Sequence, residues 1–379
     1  MALLSTSFPW RTGNQFQLHV DGESFYPKML HAIQNAQRTI CLEMYLCNSG
    51  KVFSEFRDAL IAAAQRGVSV QLSLDDFGSL QLNNHDRVQL ANADIAVRFY
   101  NPIRWRRGFR NLLRNHRKAL IVDDCIAFTG GAGLTDEFRY DSDREPAWHD
   151  VMLEMHGPVV TDWQYLFEKT WDGLPTQRRH SLPIQQPISA ADGLQGSGRV
   201  VTAFGPQAHH VLQSLYRRIK AADRRVWVVT PYFVPSWQLR HRLIKAARRG
   251  VDTRILVPGI HTDHPSIQQA SRRYYANLLK HGVRIFEYRP RFIHMKIALC
   301  DDWVTIGSTN FDRWSVRWNL DANQEVADIN FVTQMVGKLD LDFSQSIELQ
   351  QHDWLRRPWH QRCTEWVTGL LERLSGRLK

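Results

Sequence analysis

Residues 116–123 read HRKALIVD and residues 294–301 read HMKIALCD, so the spacing His-x-Lys-x4-Asp occurs once in each half of a 379-residue chain. Side chains two apart on a strand share a face, so His116 with Lys118, and His294 with Lys296, would project together from a sheet. Two imidazoles and two ammoniums suit a phosphodiester. The lysines would neutralise its charge and stabilise the oxygens of a five-coordinate transition state. One neutral histidine would attack phosphorus while the other, protonated, gives its proton to the leaving oxygen, so a difficult displacement becomes two easier ones through a phosphohistidine. This chemistry needs no metal and no cofactor. The chain has neither an Asp/Glu/His cluster with two-metal spacing nor a Gly-rich loop ending in Gly-Lys-Ser/Thr. A single copy would be explained equally well as a solvated cationic strand end, but two copies in equivalent places are not.

The elements that must position these groups are also written twice. LIAAAQRGVSVQLSLDD (60–76) is matched by LIKAARRGVDTRILVPG (243–259), RTICLEMYL (38–46) by RRVWVVTPYF (224–233), and ANADIAVRFYNP (91–102) by LLKHGVRIFEYRP (278–290). Each series reads strand, helix, strand, helix, strand, motif. Phe53, Phe56, Leu60 and Ala64 fall near helical spacing and stop at Gly67, and Ser236 is placed to cap the corresponding helix. Such alternation predicts an α/β fold of two similar α/β/α domains, each a mainly parallel mixed sheet flanked by helices, sharing one site at their interface. The expected limits are 1–174 and 199–350, joined by a Pro-, Gly-, Ser- and Gln-rich linker at 175–198 and followed by a basic amphipathic segment at 351–379.

Composition narrows the partner. A formal charge of +10 points to an anionic one: nucleic acid, an acidic membrane surface or a phosphate ester. Five cysteines without Cys-x-x-Cys spacing indicate neither a disulfide framework nor a zinc site, and a reduced setting fits them. The N-terminus does not read as a signal peptide, and no run approaches the 18 or so apolar residues of a spanning helix, so any membrane work is expected at the surface. NPIRWRRGFRNLLRNHRK (101–118) has no acid and interleaves arginines with Trp105, Phe109, Leu112 and Leu113. That mixture suits phosphate headgroups at a membrane boundary, or the clamping of single-stranded nucleic acid. Near the C-terminus Trp366, Val367, Leu370, Leu371, Leu374 and Leu378 form an apolar stripe edged by basic residues, either a docking helix or an interfacial one.

HRKALIVD followed by GGAG, and HMKIALCD followed by GSTN, resemble the phospholipase D superfamily over nearly the whole chain. LEMYL, AAAQRGV, the arginine-rich run and VRWNLDANQEV make it most similar to the bacterial cardiolipin synthases that lack transmembrane helices. The resemblance implies one shared site, a covalent phosphatidyl-histidine and transfer to an alcohol. It implies His116 as nucleophile and His294 as general acid, with the reverse open, and Lys118 and Lys296 on the phosphate. Asn310 would donate to phosphate or orient a lysine, and Ser308 and Gly131, in GSTN and GGAG, join the binding and orienting set. Gly133 departs from the pattern by standing where the family usually has Asn, and the second copy has one residue fewer between Asp301 and Gly307, which reads as a tighter turn.

Asp123 and Asp301 complete the catalytic signature but sit at turn positions, where carboxylates commonly accept backbone N–H bonds, so a structural role is favoured. Asp150 in WHDVMLE and Glu325 in NQEVADI, on later strands, are the better candidates for orienting the histidines through their far ring nitrogens. The expected substrate is an anionic phospholipid: two phosphatidylglycerols would give cardiolipin and glycerol on the cytoplasmic face of a bacterial inner membrane. Rivals are a phospholipase or transferase using another alcohol, a nuclease, for which nucleic acid is the less favoured partner, and a non-catalytic lipid-binding module. Oligomeric state is left open. Because transfer must outcompete water, a narrow and largely dry cleft is expected behind the histidines.

Overall fold

The structure is a computed structural model that describes residues 8–140, 146–172, 196–204 and 208–358. In the first half β1 (Arg11–Val20), β2 (Thr39–Met44), β3 (Ser69–Asp75) and β4 (Ala96–Tyr100) alternate with helices at Gly22–Asn35, Lys51–Gln65 and Asn84–Asn92. A two-residue strand, β5 (Arg114–Asn115), then precedes β6 (Ala119–Val122), β7 (Ile126–Gly130) and β8 (Val151–His156). After a helix at Val159–Trp171 the second half repeats the series as β9 (Gly196–Phe204), the short β10 (Ala208–His209), β11 (Arg225–Val229), β12 (Asp252–Pro258) and β13 (Arg284–Tyr288). It continues through β14 (Ile297–Cys300), β15 (Trp303–Gly307) and β16 (Asn319–Ala327), and ends at the edge strand β17 (Ser346–Glu348).

The first sheet runs β4-β3-β2-β6-β7-β8-β1 and the second β13-β12-β11-β14-β15-β16-β9, with β17 added beyond β13. The α/β class and the duplication are as expected, but a mainly parallel sheet is not. Within the two sheets only β2-β3-β4 and β11-β12-β13 pair in parallel, because the helical crossovers that join these strands end where the antiparallel His-x-Lys hairpins begin; the two-residue β5 adds a short parallel pairing to β16 across the halves. The start of β1 also pairs with β9, which ties the two sheets together. Strand β9 begins at Gly196, inside the stretch read as linker, and residues 175–195 lie outside the described residues. So do 359–379, with the apolar stripe at Trp366 to Leu378, while residues 351–355 form a short helix with Trp354 buried against Tyr275.

Local chemistry repeats with the topology. The Lys51–Gln65 helix buries Phe53, Phe56 and Leu60 and stops before Gly67 at φ +89°; the Trp237–Arg248 helix, capped by Ser236 on the Leu239 N–H, stops before Gly250 at φ +86°. Arg66 and Arg249 then reach back to matching carbonyl pairs, Ile33 with Ala36 and Ile219 with Ala222. Each half has its own apolar core, and a third core runs across both, joining Leu153, Met155 and Trp163 to Met295, Val304 and Met335.

The motif aspartates belong to this scaffold. Asp123 stands at φ +53° and accepts from the backbone N–H groups of Gln37, Arg38 and Thr39 at 2.7–2.8 Å; Asp301, at φ +48°, does the same for Asp223, Arg224 and Arg225. These bonds hold both carboxyls below their usual range despite the opposing effect of burial. Val122 pairs with Ile126 across three turn residues, whereas Cys300 pairs with Trp303 across two, the tighter second turn. Neither aspartate reaches the cleft, so their inclusion with the catalytic groups is corrected. Asp123→Ala should cost about 1–3 kcal/mol of stability, read as a lower Tm, while kcat/KM of the folded protein stays within about twofold.

Candidate active site

The C-terminal ends of the parallel strands set the first motif in place. Asp75 of β3 accepts from the Asn115 N–H at 2.8 Å and from Arg114 at 3.3 Å, and Glu43 of β2 accepts from the Asn115 amide at 2.6 Å. Asn115 lies directly before His116. Arg114 and Arg117, both in the basic run, therefore turn inward; Arg117 is fully buried and donates to Thr170.

Each histidine is then held by the opposite half. The His116 N–H donates to Leu320 O at 2.9 Å, and His116 Nδ1 lies 3.0 Å from Asp321 Oδ1 and 3.0 Å from Ser308 O. Reciprocally, the His294 N–H donates to His149 O at 2.8 Å, and His294 Nδ1 lies 2.7 Å from Asp150 Oδ2. With Nδ1 directed to a carboxylate, Nε2 is the ring nitrogen turned away from it; on His294, Lys296 Nζ stands 3.1 Å from both ring nitrogens. Both rings are packed from the side: His116 by Tyr45 at 4.7 Å between centroids, His294 by Trp148 at 5.3 Å and Phe138 at 5.4 Å. Lys118 and Lys296 each donate to the carbonyl of their own histidine, at 2.7 and 2.6 Å, which places the two ammoniums alike.

His116, Lys118 and His294 line one cavity of about 550 Å³ whose walls are mostly apolar, with Tyr45, Leu46, Phe77, Leu112, Trp148 and Ile267 among them. Burial, then the charge of Lys118, brings His116 down to about 4 against the pull of Asp321; burial, then Lys296, does the same to His294 against Asp150. Burial lowers Lys296 to about 8, and burial with the charge of Lys296 takes Lys118 well below the ordinary lysine range. Burial is thus the first cause of all four shifts, and for Lys296 the carboxylates Asp150, Asp263, Asp321 and Asp312 pull against it.

Of the two acids expected to orient the histidines, Asp150 meets His294, the histidine of the opposite half, while Glu325 meets neither; the carboxylate on His116 is Asp321. Glu325 is fully buried and pairs with Arg199 at 2.7 Å. The signal for Asp321 was legible: DVMLE (150–154) and DANQE (321–325) align with Asp first and Glu fifth, and Glu154, like Glu325, binds basic side chains away from the cleft, here His19 and His156. Ser308 donates to Asp321 at 2.7 Å, while Gly131 leaves room for Asp150, since a Cβ there would fall 2.3 Å from its Oδ2. Asn310 lines the cavity, nearly buried, with its amide 3.4 Å from Ser315 Oγ. At Gly133 a Cβ would meet Leu46 O at 2.6 Å, so an Asn in its place would collide with the first half's own backbone.

A duplicated α/β chain whose halves bring two His-x-Lys pairs to one cleft has the fold and motifs of the phospholipase D superfamily. Residues 29–171 and 215–343 match the family model described as cardiolipin synthase, PLD-like domain, and the chain belongs to that family. It is 35% identical over 329 residues to cardiolipin synthase B of Escherichia coli strain K12 and to that of Salmonella typhimurium, across 85% of this chain and 78% of each relative. It is 31% identical to cardiolipin synthase A of Pseudomonas putida, across 91% of this chain and 71% of the relative. Among solved structures, a phosphatidylserine synthase of Haemophilus influenzae Rd KW20 superposes with a TM-score of 0.71 at 14% identity, covering 99% of this chain and 96% of that one, which speaks for the fold.

Asp321→Asn removes the charge that keeps His116 in its working tautomer and should lower kcat by about a hundredfold or more. Glu325→Gln, four residues on, should act mainly on Tm.

Proposed function

We propose that this protein is a cardiolipin synthase, a phosphatidyltransferase that joins two phosphatidylglycerols and releases glycerol. The observation that carries the reading is the single apolar-walled cleft onto which both histidines open, each backed by a carboxylate from the other half. An aqueous groove would have fitted a nucleic-acid strand better; apolar walls around paired cations fit a lipid phosphate.

In the first step His116 Nε2 attacks phosphorus, the P–O bond to the headgroup breaks, and His294 gives its proton to the departing oxygen. In the second a hydroxyl of another phosphatidylglycerol attacks the phosphohistidine, the P–N bond breaks, and the hydroxyl proton passes to His294. Lys118 and Lys296 hold the phosphoryl oxygens throughout. His294 is taken as the proton carrier because its Nδ1 lies closer to a carboxylate, 2.7 Å from Asp150 against 3.0 Å between His116 and Asp321, and this bond works against the Lys296 ammonium that stands 3.1 Å from both of its ring nitrogens.

Membrane contact falls to the loop before the first motif. Trp105 is 97% exposed, Ile103 and Phe109 are half-exposed, and Arg104, Arg106, Arg107 and Arg110 surround them, while Asn111 and Leu112 of the same loop line the cleft. Asn101 donates to the carbonyls of Arg110 and Leu113, and Asn111 donates to Arg104 O and accepts from the Arg104 N–H, which braces the loop in this form. No helix among the described residues is long and apolar enough to cross a membrane. The protein works as a peripheral enzyme on the cytoplasmic face of the bacterial inner membrane.

Purified protein with labelled phosphatidylglycerol vesicles should form cardiolipin and free glycerol and leave single-stranded DNA uncut. His116→Ala and His294→Ala should each lower turnover on the order of a thousandfold or more. DNA cleavage without cardiolipin would overturn the reading. The ammonium of Lys296 is present below about pH 8 and lost above it, so kcat/KM should fall as pH rises past about 8.

A further inference from the structure

His149 precedes Asp150 but stands apart from the cavity, and the steps above do not use it. It is 2% exposed, yet both of its ring nitrogens meet charged groups. Nδ1 lies 2.7 Å from Asp21 Oδ1 and 3.0 Å from Arg291 Nη2; Nε2 lies 3.1 Å from Asp342 Oδ1 and 2.9 Å from Lys338 Nζ. Arg291 also binds Asp21, Lys338 also binds Asp342, and Tyr288 stacks on the ring with centroids 5.2 Å apart and planes 14° apart. Only an imidazolium can donate to a carboxylate from both nitrogens. Burial opposes that charge, but the bonds to Asp21 and Asp342 outweigh it and raise the His149 pKa.

Asp21 and His149 come from the first half, Arg291, Lys338 and Asp342 from the second. The backbone crosses at the same point: the His149 N–H donates to Phe292 O at 2.8 Å, and His149 O accepts the His294 N–H at 2.8 Å. The Asp21 N–H donates to Asp150 O at 2.9 Å, closing the arrangement around the two residues that hold His294. The counterpart of His149 is Leu320, an apolar side chain on a strand already paired along its length with β9. On the His149 side the cross-half backbone contact is a single isolated bridge, so side-chain ion pairs do there what strand pairing does opposite.

We propose that His149 is a positioning residue for His294: gripped from both sides by Asp21 and Asp342, it fixes the bridge on which the His294–Asp150 pair is mounted. The proposal rests on the reading of His294 as the proton donor. Proton delivery is sensitive to displacements of well under 1 Å, so loosening this mount costs turnover without costing lipid binding.

The test compares two substrates with the full-length protein: phosphatidylglycerol in vesicles, and bis(p-nitrophenyl) phosphate in single turnover, whose leaving oxygen departs without a proton. His149→Gln should lower kcat on phosphatidylglycerol about 10- to 100-fold with KM within about twofold, and slow the p-nitrophenolate release less than about threefold. Asp342→Asn, a second variant should the first fold poorly, should show the same selectivity to a smaller degree. Equal losses on both substrates, or no loss, would overturn the proposal. His294→Ala run alongside separates the two ideas: if it shows the selective pattern and His149→Gln does not, only the positioning role fails; if it falls equally on both substrates, the proton-donor reading fails and takes this one with it.

Discussion

Everything in the cleft depends on one exchange: each half supplies a histidine and receives its carboxylate from the other. Asp321 serves His116 and Asp150 serves His294, and in both cases the carbonyl one residue earlier accepts the histidine's own backbone N–H. The two bonds fix ring tautomer and backbone position together. A shift of one sheet against the other would break four hydrogen bonds and part both carboxylates from their histidines, leaving Asp321 with Ser308 and Asp150 with the Val151 N–H, which is why the shared apolar core and the β1–β9 pairing matter to the chemistry and not only to stability.

The same exchange makes a cationic cleft tolerable. Burying Lys118 and Lys296 with two imidazoles disfavours charge, and the lowered proton affinities of all four groups express that cost. Asp321 and Asp150 offset part of it without entering the space a phosphate would fill. A phosphodiester among these groups would add negative charge and favour their protonated forms.

The arrangement was legible to a definite depth. The paired motifs, the duplicated order of elements, the helix stops at Gly67 and Gly250 and the cap at Ser236 follow from local spacing and turn chemistry, which the chain encodes within a few residues. The partner of His116 did not follow, because it comes from 205 residues away and two acids four apart on β16 satisfy the same alternation. The match of DVMLE with DANQE favours Asp321, but it takes the register of β16 against β9 and β15, a property of paired strands, to settle the choice. The antiparallel part of each sheet was missed for a related reason: a short apolar run does not declare the direction of its neighbour. Nor could composition tell that Arg114 and Arg117 point inward while the arginines just before them face solvent.

The crossed supply of carboxylates also bears on how such a chain arises. An unduplicated ancestor with one motif would find the acid for its histidine only on a second copy of itself, related by a two-fold axis, and would be inert alone. Joining the copies end to end releases them from having to be identical. The departures already visible, Ser308 against Gly131, Asn310 against Gly133 and His149 against Leu320, are what that release permits: two sides of one reaction, once forced to be mirror copies, free to specialise.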